Sequence, residues 1–198
     1  MRVLVLHGFA QTGEIARKKC KRLFRGLDVE VFYPDGPVEV TQPESPELTV
    51  KTGRAWFYLN PLTPGSSGEY FKRATTTWFE VERSLALLRE LGHVDLVIGF
   101  SQGAMLARYA ARELACSKIC FISGVRTPEP ENLAALGSTA HVSTLHCYGE
   151  RDTMVLPAES LELASSYETA RVFVHSAGHV IPTKSAFKQE LCRLLHTA

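Results

Sequence analysis

A serine between two glycines, in the segment Gly99-Phe100-Ser101-Gln102-Gly103, has the type and setting of a nucleophile. It follows an apolar run at residues 94–98, which predicts a strand, and it precedes a helical pattern at residues 102–114. A serine at such a strand-to-helix turn lies at the tip of a nucleophile elbow, where glycines allow the backbone to pass close to its neighbours. The pattern also occurs by chance in loops, so Ser101 becomes a candidate nucleophile through the residues that follow it.

A candidate acid and a candidate base follow the serine, each after its own apolar strand pattern. Asp152 follows the pattern at residues 144–148, and His179 follows the pattern at residues 171–175. Serine, aspartate and histidine in this order along the chain are known to form catalytic triads. Because the carboxyl ends of parallel strands deliver functional groups to one edge of an open sheet, we expect the three side chains to lie together.

Three other aspartates are less suited than Asp152 to be the acid. Asp28 and Asp35 precede the elbow, and Asp95 lies at the start of the strand that leads to the serine. The expected work of Asp152 is to accept a hydrogen bond from the distal nitrogen of the base, which selects the tautomer and stabilises the imidazolium. Glu150 is the alternative acid, and a turn or helix-capping role is the structural alternative for Asp152.

Of the seven histidines, His179 alone follows a strand end on a loop with a glycine, Gly178, before it. Such a loop can reach the elbow, where the imidazole would take the proton of the serine hydroxyl. The other histidines lie in predicted strands, at helix ends, in an unsupported loop or in the first turn of the chain: His7, His93, His141, His146, His175 and His196.

A turn near the start of the chain is expected to complete the site. The strand pattern at residues 2–6 runs straight into His7-Gly8-Phe9-Ala10-Gln11. Such a turn can aim a backbone N–H at the serine from the side opposite the elbow. Together with the N–H of Gln102, the residue after the nucleophile, it would form an oxyanion hole. Phe9 is the expected second donor, and Ala10 is the alternative.

Five segments of the chain together resemble the FSH family of small serine hydrolases, which occurs in fungi, plants and animals. They are Leu6-His7-Gly8-Phe9-Ala10-Gln11, Arg54-Ala55-Trp56-Phe57, Gly99-Phe100-Ser101-Gln102-Gly103, Gly149-Glu150-Arg151-Asp152 and Gly178-His179. The resemblance covers the chain nearly end to end, and the Arg-x-Trp-Phe segment is its most particular mark. It implies a cytoplasmic carboxylesterase that acts on alkyl or acyl esters without a cofactor.

The composition is that of a single globular domain. The 198 residues, 45% of them hydrophobic and 22% charged, suffice for one well-cored domain, expected to span residues 1–198. Lysine and arginine number 22 against 21 acidic residues, so the net charge predicts neither nucleic-acid binding nor attraction to an anionic membrane. The first apolar run is too short for a secretory signal, and no window approaches a membrane span. Five cysteines without paired metal spacing predict reduced thiols, no metal site and a cytosolic location.

Apolar, β-rich runs alternate with helical patterns, which predicts an α/β fold with a mostly parallel sheet. The runs lie at residues 3–6, 29–33, 94–99, 118–123, 144–148 and 171–175. Right-handed crossovers would order the six strands 2-1-3-4-5-6, as in a compact α/β-hydrolase with helices on both faces. Two helices show buried stripes, one of Trp78, Val81, Leu85 and Leu88 that stops at Gly92, the other of Phe187, Leu191, Leu194 and Leu195. Residues 34–68, rich in proline and glycine, are expected to form an irregular excursion over the mouth of the site.

Apolar residues near the predicted site are candidates for a substrate pocket. Trp56 and Phe57 lie in the excursion, and the others flank the acid and base loops: Met154, Val155 and Val180. Aromatic residues in such a segment also commonly hold it to the core, so pocket and packing are equal interpretations of Trp56 and Phe57. The basic run at residues 17–25 is interpreted as the solvated face of a helix rather than as a binding patch.

These residues predict a serine esterase that works through an acyl-enzyme. Its expected partner is a small ester with an apolar chain, with no nucleic acid and no membrane insertion. A thioesterase or a lysophospholipase would use the same triad, and a non-catalytic binding module on this fold is the alternative from another class. No triad member is missing, which favours an enzyme.

Overall fold

Six parallel strands form the central sheet of the protein, as described by a computed structural model that covers residues 1–41, 52–59, 77–136 and 141–197. The described residues contain these six strands and a separate pair, β3 and β4. In chain order they are β1 Arg2–Leu6, β2 Glu30–Phe32, β3 Val38–Thr41, β4 Thr52–Ala55, β5 Leu96–Phe100, β6 Lys118–Ile122, β7 Ser143–Gly149 and β8 Thr169–His175. The central sheet has the order β2-β1-β5-β6-β7-β8, and every neighbouring pair in it is parallel. Counted within the sheet, this order is 2-1-3-4-5-6, so the predicted topology is confirmed.

Helices cover both faces of this sheet, as predicted. They are α1 Gly13–Phe24, α2 Val81–Arg89, α3 Gln102–Glu113, α4 Pro157–Ala164 and α5 Ser185–Leu195, with a 3₁₀ turn at Glu131–Leu136. One core joins α2, α3 and α4 to one face, and a second core joins α1 and α5 to the other. Within the described ranges, every helix is too short or too polar to pass through a bilayer.

Burial on both faces explains the continuous apolar runs of the central strands. In β1, Leu4 and Leu6 pack into the core that contains α3, while Val3 and Val5 pack into the core that contains α1. Successive side chains of a strand point to opposite faces, so both sets must be apolar. All four are at most 1% exposed. The strands therefore form a firm base for the loops at their carboxyl ends.

The stretch predicted to be an irregular excursion, residues 34–68, contains a β-hairpin that the prediction missed. Strands β3 and β4 pair in antiparallel fashion. Val38 and Val40 are buried on either side of the exposed Glu39, which is the alternation of a half-buried strand. The prolines around this pattern obscured it. The other parts of the stretch at residues 42–51 and 60–68 lie outside the described residues.

The helical stripe that was predicted to begin at Trp78 begins later. Trp78 precedes α2, which starts at Val81 and ends at Arg89. The side chain of Trp78 is nevertheless buried, with 1% of it exposed, and stacks on the ring of Phe57. The apolar pattern therefore predicted the burial of Trp78 correctly and the start of the helix incorrectly. Gly92, the predicted stop, has a φ of +68° three residues after the helix ends.

Candidate active site

Ser101 lies at the turn between β5 and α3 with φ 53° and ψ −116°, a conformation that residues with a side chain rarely adopt. A Cβ atom at Gly99 would lie 2.3 Å from the carbonyl oxygen of Gly103, and a Cβ atom at Gly103 would lie 2.3 Å from the carbonyl oxygen of Leu6. Close backbone packing therefore requires both glycines. The N–H of Ser101 donates to the carbonyl of Ile122 at 3.0 Å, which ties the turn to β6. The predicted nucleophile lies on the strained elbow that its motif indicated.

Asp152 and His179 are brought together from two different loops. The first loop follows β7 and the second follows β8, and Nδ1 of His179 lies 2.8 Å from Oδ2 of Asp152. Because an ionised carboxylate can only accept, Nδ1 carries the proton and Nε2 is left as the acceptor. The imidazole also packs against the ring of Phe100, with centroids 4.9 Å apart, and Phe100 directly precedes Ser101. The predicted base thus lies beside the elbow, in the tautomer that the predicted acid selects.

Each carboxylate oxygen of Asp152 accepts two hydrogen bonds. Oδ1 accepts from the backbone N–H groups of Met154 and Val155, both at 3.0 Å. Oδ2 accepts from His179 and from the hydroxyl of Ser123, each at 2.8 Å. Burial raises the pKa of Asp152, but these hydrogen bonds and the charge of a protonated His179 outweigh burial and hold the pKa below its ordinary value. The acid is therefore ionised at neutral pH although it is only 2% exposed.

Ser123 is a residue of this site that the sequence analysis missed. It directly follows β6, the strand next to β5 in the sheet. A signal was present, because the predicted strand at residues 118–123 ends at this serine and so delivers its side chain to the same sheet edge as Ser101 and Asp152. No recognisable motif surrounds this serine, so the sequence does not single out its hydroxyl.

The turn that should supply the second oxyanion donor has a well-defined backbone. It is closed by a hydrogen bond from the N–H of Gln11 to the carbonyl of Gly8 at 3.2 Å, and within it Ala10 has a φ of 55°. Phe9 is partly buried between the core that contains α3 and the buried side chains of the hairpin. From β4, Gly53 packs so closely that a Cβ atom there would lie 2.3 Å from the carbonyl oxygen of Ala10. Phe9 and Ala10 both lie on this turn, and the choice of Phe9 as donor stays a prediction.

His7, at the start of the same turn, is a neutral structural residue. Its Nδ1 lies 2.7 Å from the carbonyl oxygen of Gly8, and its Nε2 accepts from the N–H of Gly36 at 2.9 Å. Burial lowers the pKa of His7 to about 4, which agrees with an imidazole that needs one protonated and one free nitrogen. The ring therefore ties the end of β1 to the chain that enters the hairpin.

The side chain of Gln102 joins the elbow to the Arg-x-Trp-Phe segment, a role that the sequence analysis also missed. Its Oε1 accepts from the N–H of Trp56 at 3.0 Å, and its Nε2 donates to the carbonyl of Phe57 at 2.9 Å. The indole N–H of Trp56 in turn donates to the carbonyl of His7 at 2.8 Å. The most distinctive segment of the sequence is thus the one that connects the elbow with the turn at His7.

Three of the five residues predicted to line a substrate pocket lie in the interior. Trp56 and Phe57 are 0% exposed, and Val155 is 2% exposed. The ring of Phe57 stacks on that of Trp78 with centroids 4.0 Å apart. Trp56 and Phe57 therefore contribute packing in this structure, and a pocket role for them stays a prediction that the burial does not favour.

Met154 and Val180 differ from these three because they are exposed. Their exposed fractions are 50% and 46%. Met154 lies two residues after Asp152, and Val180 directly follows His179. Apolar surface next to the predicted acid and base is therefore present, and it is supplied by these two side chains.

Other candidates from the sequence are accounted for without a role in the site. Glu150, the alternative acid, is exposed, and Asp152 takes the hydrogen bond of the base. Arg17 and Lys18 pair with Glu14 at 2.7 and 3.6 Å on the exposed face of α1, in keeping with a solvated helix face. The described part of the chain contains no group of three or more His, Cys, Asp or Glu side chains that could hold a metal ion.

Comparison with known proteins finds relatives over nearly the whole chain. The family model described as "Serine hydrolase (FSH1)" matches residues 1–191. Dihydrofolate reductase of Schizosaccharomyces pombe is 28% identical over 208 residues, which cover 95% of this chain and 45% of that protein. Esterase OVCA2 of Xenopus tropicalis is 26% identical over 200 residues, which cover 92% of this chain and 86% of that protein. The chain spans about half the length of the Schizosaccharomyces pombe relatives that it matches.

Solved structures show the same fold. The crystal structure of esterase PE8 superposes with a TM-score of 0.66 at 22% sequence identity, covering 98% of this chain and 92% of that one. At this identity the likeness concerns the fold alone, which is that of an α/β-hydrolase.

Proposed function

Because the chain belongs to the serine hydrolase (FSH1) family, we propose that it is a carboxylesterase that cleaves alkyl or acyl esters through Ser101, Asp152 and His179. The observation that carries the proposal is the 2.8 Å hydrogen bond from His179 to Asp152, beside a serine on an elbow with positive φ. Both oxygens of this buried carboxylate are fully hydrogen-bonded, which is more than an incidental pairing on a loop requires.

In the first half of the reaction, Nε2 of His179 takes the hydroxyl proton as Oγ of Ser101 attacks the ester carbonyl carbon. Asp152 stabilises the imidazolium that forms. The oxyanion of the tetrahedral intermediate accepts hydrogen bonds from the N–H groups of Gln102 and Phe9, with Ala10 as the alternative to Phe9. Gln102 is the first residue of α3, so the amino-terminal end of that helix adds partial positive charge at the oxyanion.

The second half of the reaction uses the same nitrogen. Collapse of the intermediate breaks the ester C–O bond, and the leaving oxygen takes the proton from His179 and departs as an alcohol. Water then attacks the acyl group on Ser101 while His179 accepts its proton. The bond between the acyl carbon and Oγ of Ser101 then breaks, His179 returns the proton to Oγ, and the carboxylic acid leaves. The protein's own side chains thus suffice for every proton transfer, and the proposal includes no cofactor.

The exposed apolar side chains beside the acid and base favour a small ester with an apolar chain. Met154 and Val180 offer this surface next to Asp152 and His179. Each substrate methylene that they remove from water would contribute up to about 0.8 kcal/mol. The five cysteines are free and four of them are buried, which suits a reducing compartment, so we place the protein in the cytoplasm.

A fluorophosphonate probe tests the nucleophile. We expect mass spectrometry of tryptic peptides to locate the adduct at Ser101, and Ser101→Ala to abolish both labelling and hydrolysis of p-nitrophenyl butyrate. Ser176→Ala is the matched control, because Ser176 is exposed on the loop that leads to His179. That variant should label and turn over as the wild type does. Labelling elsewhere, or unchanged turnover in Ser101→Ala, contradicts the proposal.

The bond that is cleaved is tested with matched substrates. An oxygen ester and a thioester with the same acyl chain are compared by kcat/KM. A preference for the oxygen ester supports a carboxylesterase, whereas a preference for the thioester reassigns the substrate class and leaves the three residues in their roles.

A further inference from the structure

Ser123 is a buried serine at a position where the backbone favours glycine. It is 0% exposed and has a φ of 50°. A positive φ is unfavourable for a residue with a side chain and free of strain for glycine. The side chain of Ser123 adds one thing that glycine lacks, a hydrogen bond from its hydroxyl to Oδ2 of Asp152 at 2.8 Å.

The backbone around Ser123 is held independently of that hydrogen bond. Its N–H donates to the carbonyl of Cys147 at 2.8 Å, which extends the pairing of β6 with β7. The carbonyl of the next residue, Gly124, accepts from the hydroxyl of Ser160 on α4 at 2.8 Å. The pairing of β6 with β7 therefore holds the backbone from which the Ser123 hydroxyl reaches Asp152, and the bond from Ser160 lies one residue further along the chain.

The four donors to Asp152 differ in origin. Met154 and Val155 belong to the same loop as the acid, so they move with it. His179 is the group that the acid has to orient. Apart from the base itself, Ser123 is the donor that connects the carboxylate to a strand other than β7, because it directly follows β6. Without its hydroxyl, Oδ2 would be held only by the imidazole.

We propose that Ser123 is a positioning residue for the acid and base, one that holds Oδ2 of Asp152 where Nδ1–H of His179 meets it. The inference rests on the proposed function, since it assigns Ser123 a part in the same reaction. Ser123 acts through Asp152 and does not contact the substrate, so its loss lowers kcat and leaves KM nearly unchanged.

Two substitutions at this position separate the hydroxyl from the backbone. Ser123→Ala and Ser123→Gly both remove the hydroxyl, but only the glycine relieves the positive φ. We expect both variants to lose about ten-fold or more in kcat, the size expected for a hydrogen bond to a charged group. The glycine variant should melt at a higher temperature than the alanine variant. Equal losses of kcat at unequal stability would show that the hydroxyl is responsible.

Ser160→Ala is the matched control. Ser160 is also buried, at 2% exposure, and its hydroxyl bonds to the residue that follows Ser123. The same atoms are removed from the same part of the fold, with no change in the donors to Asp152. We expect its kcat to stay within about two-fold of the wild type, as for other substitutions that do not touch a reacting group. An equal loss in Ser160→Ala and Ser123→Ala would overturn the proposal.

A double-mutant cycle tests the route of the effect. In an Asp152→Ala background, Ser123→Ala should cost no further activity, measured as the rate at which the fluorophosphonate labels Ser101. A merely structural role would lower the rate in both backgrounds. The low-field proton NMR signal of His179 Nδ1–H should shift or broaden in Ser123→Ala and be unchanged in Ser160→Ala.

The outcomes separate this inference from the proposed function. If hydrolysis depends on Ser101 but both Ser123 variants keep full kcat, the role of Ser123 is wrong and the esterase stands. If Ser101→Ala stays active, both proposals fail together. An unchanged Nδ1–H signal in Ser123→Ala also contradicts the inference, whatever the activity.

Discussion

Two regions of the protein meet at Ser101, and they are built by different means. The acid–base side consists of Ser123, Asp152 and His179, which are joined by side-chain hydrogen bonds between loops that follow three strands. The hairpin side consists of the turn at His7 and the segment around Trp56, which are joined by buried aromatic packing and hydrogen bonds to the backbone. Chemistry dictates the residue types of the first region, and packing dictates those of the second.

One histidine in each region shows the difference. On the acid–base side, Nδ1 of His179 donates to the carboxylate of Asp152, which leaves Nε2 as an acceptor. On the hairpin side, His7 has both nitrogens at backbone groups, and burial lowers its pKa to about 4. The same ring is therefore proposed for proton transfer in one place and holds two backbone segments together in the other. Substitutions on the acid–base side should lower the rate, and those on the hairpin side should lower the stability.

The largest effect is expected from the acid and base themselves. His179→Ala and Asp152→Asn should each lower kcat, by roughly 10⁴-fold for the aspartate, while the melting temperature stays high enough for the protein to remain folded in the assay. The double variant should lose little more than the worse single one, because triad members act as a unit. Steady-state kinetics and thermal melting measure both quantities. Losses that multiply in the double variant would remove these residues from a shared role.

On the hairpin side, Trp56→Ala should lower the free energy of unfolding by about 3–5 kcal/mol, because it empties a fully buried site and leaves the carbonyl of His7 without its donor. Urea unfolding measures this loss, and Trp56→Phe, which keeps most of the volume, should lose less. In the folded variant, kcat/KM for acetate, butyrate, octanoate and palmitate esters should change by one common factor. If the dependence on chain length flattens instead and stability is kept, Trp56 lines a pocket after all.

The two regions should also lose stability in different pH windows. Burial lowers the pKa of His7, on the hairpin side, and of His146, a buried residue of β7 outside both regions, to about 4 from an ordinary 6.5. Between these values the unfolded chain binds more protons, so the unfolding free energy falls as the pH is lowered from 6.5 towards 4, by at most about 3 kcal/mol for each histidine. His7→Gln and His146→Gln should each flatten this slope in urea titrations at pH 7.5 and 4.5. A wild-type slope retained in both variants would contradict the assignment.

Asp152 acts in a lower window. Its pKa lies below the ordinary value of 3.8, so the stability that it contributes is present above that value and is lost only as the pH falls further. In Asp152→Asn the fall in unfolding free energy between pH 7.5 and 4.5 should therefore match that of the wild type, because the buried histidines and not Asp152 titrate in that window.

The smallest effect concerns the exposed apolar surface beside the acid and base. In the wild type, kcat/KM should increase with acyl chain length by up to about 0.8 kcal/mol, or a few-fold, per methylene. Met154→Ser and Val180→Ser should each lower that increase by less than this amount. Leu161→Ser, at a residue of α4 that is 45% exposed, is the matched control and should leave the chain-length dependence intact. An equal change in all three variants would refute a specific surface at Met154 and Val180.

The residues of the acid–base side could be predicted from the sequence more fully than those of the hairpin side. Ser101, Asp152 and His179 could be proposed from residue type, order and position after strands, and the structure brings Asp152 and His179 into contact. The strand order followed from alternating patterns and right-handed crossovers. These features are local or topological, so a single sequence contains them.

Features that depend on packing could not be read in this way. The sequence pattern around an aromatic residue in a proline-rich segment is the same whether the side chain faces a substrate or the core. Only the structure shows that Trp56 is buried. The hydrogen bonds of Gln102 join residues 45 and 46 positions apart, and that of Ser123 spans 29 positions. A common side chain with a distant partner leaves no motif in the sequence, and for Ser123 the one signal is its place at the end of a predicted strand.

Three of the five described non-glycine residues with a positive φ lie at this one edge of the sheet: Ala10, Ser101 and Ser123. Each such residue costs on the order of 1–3 kcal/mol of folding free energy. Glycine at Ala10 and Ser101 should therefore make the protein more heat-resistant, at Ser101 with the loss of turnover. At Ser123 the lost hydrogen bond to Asp152 offsets the relief of strain, and kcat falls. A laboratory selection for thermostability alone would drift towards the loss of turnover at Ser101. Engineering of this protein for stability therefore has to measure turnover together with melting temperature, because the positions with the most backbone strain lie at the candidate active site.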